Sequence, residues 1–174
     1  MLPRRDIMEK AVAKRSFARA ARQPVAVPPD FADRVEALLA RRCCDVLGLA
    51  RRAGLAVAGF ERVGEMARRG DAALLLFARD GAEAGRRRMA AGARGAASAN
   101  VLDAAELGSV FGRETVGFVA VGPGPLCSRL LTELERLAGF RQRFEPQQFE
   151  RECPYFGRHQ HDRHQHRSHH VQRR

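Results

Sequence analysis

Arginine is the residue type with the most chemistry to offer in this 174-residue chain. Of 31 basic side chains only Lys10 and Lys14 are lysines. A guanidinium presents a planar fork that pairs with phosphate and stacks on bases. A GC-rich coding sequence also exchanges Lys for Arg, so residue type alone leaves both origins open. Position says more. The formal net charge is +11, yet residues 29–140 hold sixteen Lys/Arg against fourteen Asp/Glu. Residues 1–28 hold seven against two, and residues 141–174 eight against four. A balanced centre with basic flanks predicts an anionic partner such as nucleic acid.

Other chemistries find less support. All six histidines lie between His159 and His170, so the apolar part of the chain has no imidazole base. Cys127 can be activated only by a helix N-terminus, and a small buried hydrophobe is the commoner fate of such a residue. Paired carboxylates at metal-ligand spacing are absent, and no enzyme is expected. The turn "VGPGPLCSRL" has Gly122 and Gly124 but lacks the third Gly at the G-x-G-x-x-G spacing of a dinucleotide loop, so no cofactor is expected. Cys43, Cys44, Cys127 and Cys153 form no C-x-x-C pair and read as reduced thiols. The "HQH", "HQH" and "HH" runs near Cys153 can chelate a divalent metal incidentally, but no structural zinc spacing is present and no metal site is assigned. Neither a signal-peptide core nor an apolar run of membrane-spanning length occurs. The chain reads as soluble and cytoplasmic, with no membrane partner.

The elements that must position the arginines follow from periodicity. "RRDIMEKAVAKRSFARAAR" sets Ile7, Ala11, Val12 and Phe17 on one face and predicts a basic amphipathic helix. "QPVAVPPD" is a stiff link whose Asp30 can cap a new helix. A helix from Asp30 to about Arg52 precedes Gly54. Helix and strand then alternate: strand "LAVAG", helix "FERVGEMARRG", buried strand "AALLLFARD", helix "GAEAGRRRMAAGARG", brief strand "ANVLD", helix "AAELGSVFG", buried strand "TVGFVAVG" and helix "PLCSRLLTELERLAGF". This predicts an α/β fold, a three-layer α/β/α sandwich with a mixed sheet of about four strands. Three regions result: an N-terminal basic helix and linker over 1–28, the sandwich over 29–140, and an Arg/His-rich tail over 141–174. The tail has no Leu or Ile and one Val, a composition that predicts disorder.

The stretch "DVLGLARRAGLAVAGFERVGEMARRGDAALLLFARDGAE", followed by "DAAELGSVFG" and "VGFVAV", resembles the ribosomal L-seven-Ae and L-thirty-e superfamily, in particular its bacterial YlxQ-like branch. The matching features are the "LGLARRAG" helix end, Gly59 before the second helix, the Arg69-Gly70 stop, a strand ending in Ala-x-Asp, and Glu106-Leu107-Gly108. "MEKAVAKRSFARAARQPVAVP" is similar to the C-terminal helix of a YlxR-like nucleic-acid-binding domain. A complete YlxR-like domain would begin with an Arg- and Cys-containing region not found before Met1, so an internal start or a shortened gene is expected.

The resemblance implies a structured or ribosomal RNA as partner, with ribosomal proteins nearby and a role in translation. It implies contacts at Gly59, Phe60, Glu61 and Arg62, where the second helix starts, and at a loop containing Val101, Leu102 and Asp103, whose apolar pair would stack on an extruded base. Glu61 stands where relatives carry Asn, and a carboxylate accepts hydrogen bonds but repels phosphate, so kink-turn recognition is not carried over. The amides that open the helix after Gly59 still suit a phosphate. Residue chemistry adds Arg51 and Arg52 at a helix end, Arg86 and Arg87 in an "RRR" run, and Lys10, Lys14 and Arg15 in the N-terminal segment, beside Arg4, Arg5 and Arg19. For each the bland alternative is a solvated face or a favourable helix-dipole interaction. A protein-interaction module of the same fold is the competing expectation, which Glu61 and Glu65 would permit. A metal-responsive role for the His-rich tail is a third.

Overall fold

The computed structural model describes residues 4–24, 26–93 and 95–141. The expectation of a disordered tail, with its histidines and Cys153, lies outside the described residues from 142 onward. In chain order the elements are α1 (Arg5–Ala13), α2 (Ser16–Ala21), α3 (Phe31–Arg52), β1 (Ala56–Ala58), α4 (Phe60–Arg69), β2 (Leu74–Phe77), α5 (Glu83–Gly92), β3 (Ala97–Ala99), α6 (Ala104–Phe111), β4 (Phe118–Val121) and α7 (Pro125–Ala138).

The sheet has the order β1-β4-β2-β3. Strand β4 is antiparallel to both β1 and β2, while β2 and β3 are parallel. Successive side chains of a strand point to opposite faces, and "LLLF" in β2 is buried throughout because both faces are covered. Leu74, Leu76, Val119 and Val121 meet Val46, Leu47, Leu107, Leu130 and Leu134 of α3, α6 and α7. Leu75, Phe77 and Ala120 meet Val63, Ala67 and Met89 of α4 and α5. The expected α/β/α sandwich with a four-stranded mixed sheet is therefore the fold.

Three local expectations are corrected. The basic N-terminal helix is two helices, because Arg15 takes a left-handed φ of 50° between them. The break turns Phe17 to meet Phe31 edge-on with ring centroids 5.7 Å apart, and neither α1 nor α2 buries a residue. Asp30 stands at the start of α3 but does not cap it; its carboxylate accepts from Arg34 Nε at 2.8 Å. The brief strand lies earlier than "ANVLD", because Ala97, Ser98 and Ala99 are the residues in register with Leu74, Leu75 and Leu76.

Candidate nucleic-acid interface

One end of the sheet collects the loops that the resemblance singles out. Ala58 pairs with Val119 and Phe77 with Phe118, so β1, β2 and β3 finish where β4 begins. Their connections are tied together. Gly59 N donates to Phe118 O at 3.0 Å, Ala78 N to Gly117 O at 3.0 Å and Arg79 N to Leu102 O at 2.9 Å. Ala104 N donates to Asp80 Oδ1 at 2.9 Å, and Arg79 pairs with Asp103 at 3.6 Å.

At this end Gly59 has φ +105°, a conformation costly for a side-chain-bearing residue, and it turns the chain directly from β1 into α4. Among the described residues no side chain caps α4. Its first-turn amides are therefore open to an anion, a common property of helix N-termini. Phe60, Glu61 and Arg62 follow, all exposed. Phe60 rests edge-on against Phe118 with centroids 5.3 Å apart, and Phe118 against Phe77 at 5.9 Å. The start of α6 is different. Asp103 accepts from Glu106 N and Glu106 accepts from Asp103 N, a reciprocal capping box that satisfies its amides internally.

The structure places the other expected contact residues as follows. Val101 and Leu102 are only 5% and 1% exposed. Once β3 ends at Ala99, both side chains fold inward into the core cluster beneath α6, out of reach of an extruded base. Arg51 and Arg52 precede β1 whereas Gly59 follows it, so this pair stands at the opposite end of the sheet. Arg51 donates to Val110 O and lies 5.6 Å from the Phe111 ring centroid, joining α3 to α6. In the "RRR" run Arg87 pairs with Glu83 one turn earlier and Arg86 is half-buried, while Arg88 faces a groove shared with α4. In the N-terminal segment Arg4 pairs with Asp6, and Arg5 with Glu9, Asp33 and Glu36. Lys10, Lys14, Arg15 and Arg19 stay exposed without an ion pair among the described residues.

Arg141, grouped with the tail on sequence, packs against α3 and α6. Its side chain is 9% exposed. It donates through Nη1 and Nη2 to the two Glu106 oxygens at 2.7 and 2.6 Å, through Nε to Glu36 at 2.9 Å and through Nη1 to Val101 O at 2.8 Å. Glu36 also holds Arg5 at 3.0 Å. An alternating chain, Arg5–Glu36–Arg141–Glu106, thus runs from α1 to the first turn of α6. Hydrogen bonds to Glu106 raise the Arg141 pKa. Burial opposes ionisation of Glu106, but Arg141 and the Asp103 amide outweigh it and hold the carboxyl below its usual range. The partners are 35 and 105 residues from Arg141; its only sequence signal is its place beside the apolar Phe140.

Arg141 also walls a cleft of about 440 Å³ between α3 and α6, with Cys44, Arg41 and Ser109. Burial and nearby carboxylates push the Cys44 thiol up to about 11, and burial pushes Cys43 up to about 12. Both are therefore protonated and poorly nucleophilic at neutral pH, in keeping with thiols used for packing. Among the described residues no group of three or more His, Cys, Asp or Glu is arranged to hold a metal ion, and no helix is long and apolar enough to cross a membrane.

No protein-family model and no curated protein matches the chain. Among solved structures it is similar to a protein with unknown function from Bacillus halodurans, with a TM-score of 0.50 and 20% sequence identity over 53% of this chain and 96% of that one. At that identity the likeness concerns the fold alone.

Proposed function

We propose that the chain is a non-enzymatic, cytoplasmic RNA-binding protein that grips the phosphate backbone of a structured, ribosome-associated RNA. One observation carries the reading: the Arg5–Glu36–Arg141–Glu106 chain fastens the basic N-terminal helices to the end of the sheet where α4 opens uncapped. Lys10, Lys14, Arg15 and Arg19 on one side and Arg62 on the other have no ion pair among the described residues. Cations that no described carboxylate neutralises are available to release counterions from phosphate, the main source of sequence-independent affinity. The resemblance of residues 44–138 to ribosomal L-thirty-e-like proteins supports RNA over other polyanions.

Binding of a fluorescent RNA hairpin with an internal loop, titrated between about 50 and about 200 mM salt, tests this. The wild type should weaken steeply as salt rises. The combined variant Lys10→Ala, Lys14→Ala, Arg15→Ala should lower the log–log salt slope by about two to three, and Arg62→Ala by about one. Affinity unchanged in both variants would sink the proposal. The burial of Val101 and Leu102, which removes the base-clamping pair, favours a protein-interaction module as the second reading. Under it no salt-dependent RNA binding is measured at all.

A further inference from the structure

Helices α4 and α5 lie side by side on one face of the sheet, and between them runs a groove of about 530 Å³. That is within the roughly 300–1,000 Å³ typical of ligand clefts. Its floor is apolar, made by Ala67 and Met89, and Gly64 contributes no side chain. A Cβ at Gly64 would stand 3.3 Å from Arg68 Nη1 and 3.7 Å from Met89 Sδ, so the Arg68 guanidinium occupies the space that Gly64 leaves. Arg62 and Arg88 line the same groove. None of the three arginines has an ion-pair partner among the described residues. The acids alongside do not cancel them: Glu65 is already paired with Arg69, which leaves Glu61 against three guanidinium groups.

Phe60 closes one end of the groove and is 43% exposed. Its inner edge is fixed by Phe118, which in turn packs on Phe77 in the core, so its position is set by the sheet. A large, exposed aromatic ring held in place beside unpaired arginines matches the two halves of a nucleotide. The ring gives a base a surface to stack on, and the guanidinium groups take phosphates. Arg62 and Arg68 stand six residues apart on α4, about 9 Å along its axis. That spread suits a run of phosphates better than a single one.

We propose that the α4–α5 groove binds an unpaired RNA strand, with one base stacked on Phe60 and successive phosphates on Arg62, Arg68 and Arg88. The proposal rests on the RNA-binding reading and extends it to a surface away from the N-terminal helices. An acidic peptide would use the arginines but has no need of Phe60, which is why the strand is favoured.

The test uses the full chain and a labelled single-stranded RNA of about a dozen nucleotides, alongside the hairpin with its internal loop. Arg68→Ala combined with Arg88→Ala should weaken strand binding about tenfold or more and reduce its salt slope by about 1.4. Phe60→Ala should weaken it at least about fivefold, and Phe60→Trp should restore it. Arg68→Glu, at an exposed position, keeps the test valid if Phe60→Ala fails to fold. Arg129→Ala on α7 should bind as the wild type does. Hairpin binding that persists while the groove variants leave strand binding within twofold overturns this inference alone. Absence of salt-dependent binding to either RNA overturns the reading beneath it as well. Competition by AMP as effective as by the strand, or tighter binding of a Glu-rich peptide through the same arginines, overturns the strand as occupant.

Discussion

Glu106 meets two demands with one carboxylate. Its Oε2 accepts the Asp103 amide at 3.0 Å to close the capping box of α6, and both oxygens accept the Arg141 fork. The sequence pattern Glu106-Leu107-Gly108 announced a special residue here but not its partner, because a contact with Arg141 leaves no local periodicity. Replacing Arg141 with Gln takes from Glu106 its guanidinium partner in a largely buried setting, while Glu36 keeps Arg5. Urea unfolding at pH 7 should show a loss of about 2–3 kcal/mol. The pH dependence supplies a sharper check. The folded-state pKa of Glu106 is depressed, so the stability it contributes is fully present above the unfolded value, about 4.3, and is lost as pH falls through the folded value. The gap between wild type and Arg141→Gln should therefore narrow as pH falls below about 4.3. A gap that is constant with pH would show that Arg141 acts through packing alone. Glu61 was legible too, since a carboxylate in the first turn of α4 is a chemical fact of the sequence. The burial of Val101 and Leu102 was not, because an apolar pair reads alike in a clamp and in a core.

Among the elements, α6 shows how a backbone approach is written into a helix. A Cβ on Gly108 would stand 2.6 Å from the carbonyl oxygens of Arg113 and Glu114, both backbone atoms of the segment leading into β4. That segment cannot move away easily, because Arg113 N donates to Gly108 O and Val116 N to Ala104 O. Alanine at 108 gains up to about 1 kcal/mol of helix propensity, but forcing the two segments apart costs up to about 3 kcal/mol. The clash wins, and Gly108→Ala should lower the urea midpoint. Gly92 in α5 meets nothing within 4 Å of an added Cβ, so Gly92→Ala should leave the midpoint unchanged or raise it. The same sign for both substitutions would refute the close-approach argument. Helix ends such as Gly70 and the period change after Gly54 were readable because turn chemistry is local. The start of β3 was misplaced because its register is set by pairing with β2, and "AASANVLD" offers two overlapping apolar runs of similar length.

For the whole molecule, alternating helices and strands give three layers, but they do not give the strand order. Placing β4 between β1 and β2 depends on antiparallel pairings across dozens of residues. The N-terminal helices pose the opposite problem, since their basic charge is plain in the sequence while their docking is not. Neither α1 nor α2 buries a residue, so hydrophobic packing contributes little to holding them. Their attachment depends on the Arg5 pairs to Asp33 and Glu36, the Arg5 N bond to Gly139 O at 3.0 Å, and the edge contact of Phe17 with Phe31. Surface ion pairs are screened by salt, which makes the attachment ionic-strength dependent. Arg5→Ala should therefore speed amide exchange across α1 while leaving exchange in β2 and β4 unchanged, since Glu36 keeps Arg141 as a partner. Wild type at about 1 M salt should approach the behaviour of the variant. RNA affinity should fall less in Arg5→Ala than when Lys10, Lys14 and Arg15 are all removed, because the charges remain and only their placement is lost. Equal exchange of α1 in wild type and variant would show that Phe17 and Phe31 suffice to dock it, and the link from Arg5 to Glu106 would then have no part in orienting the basic surface.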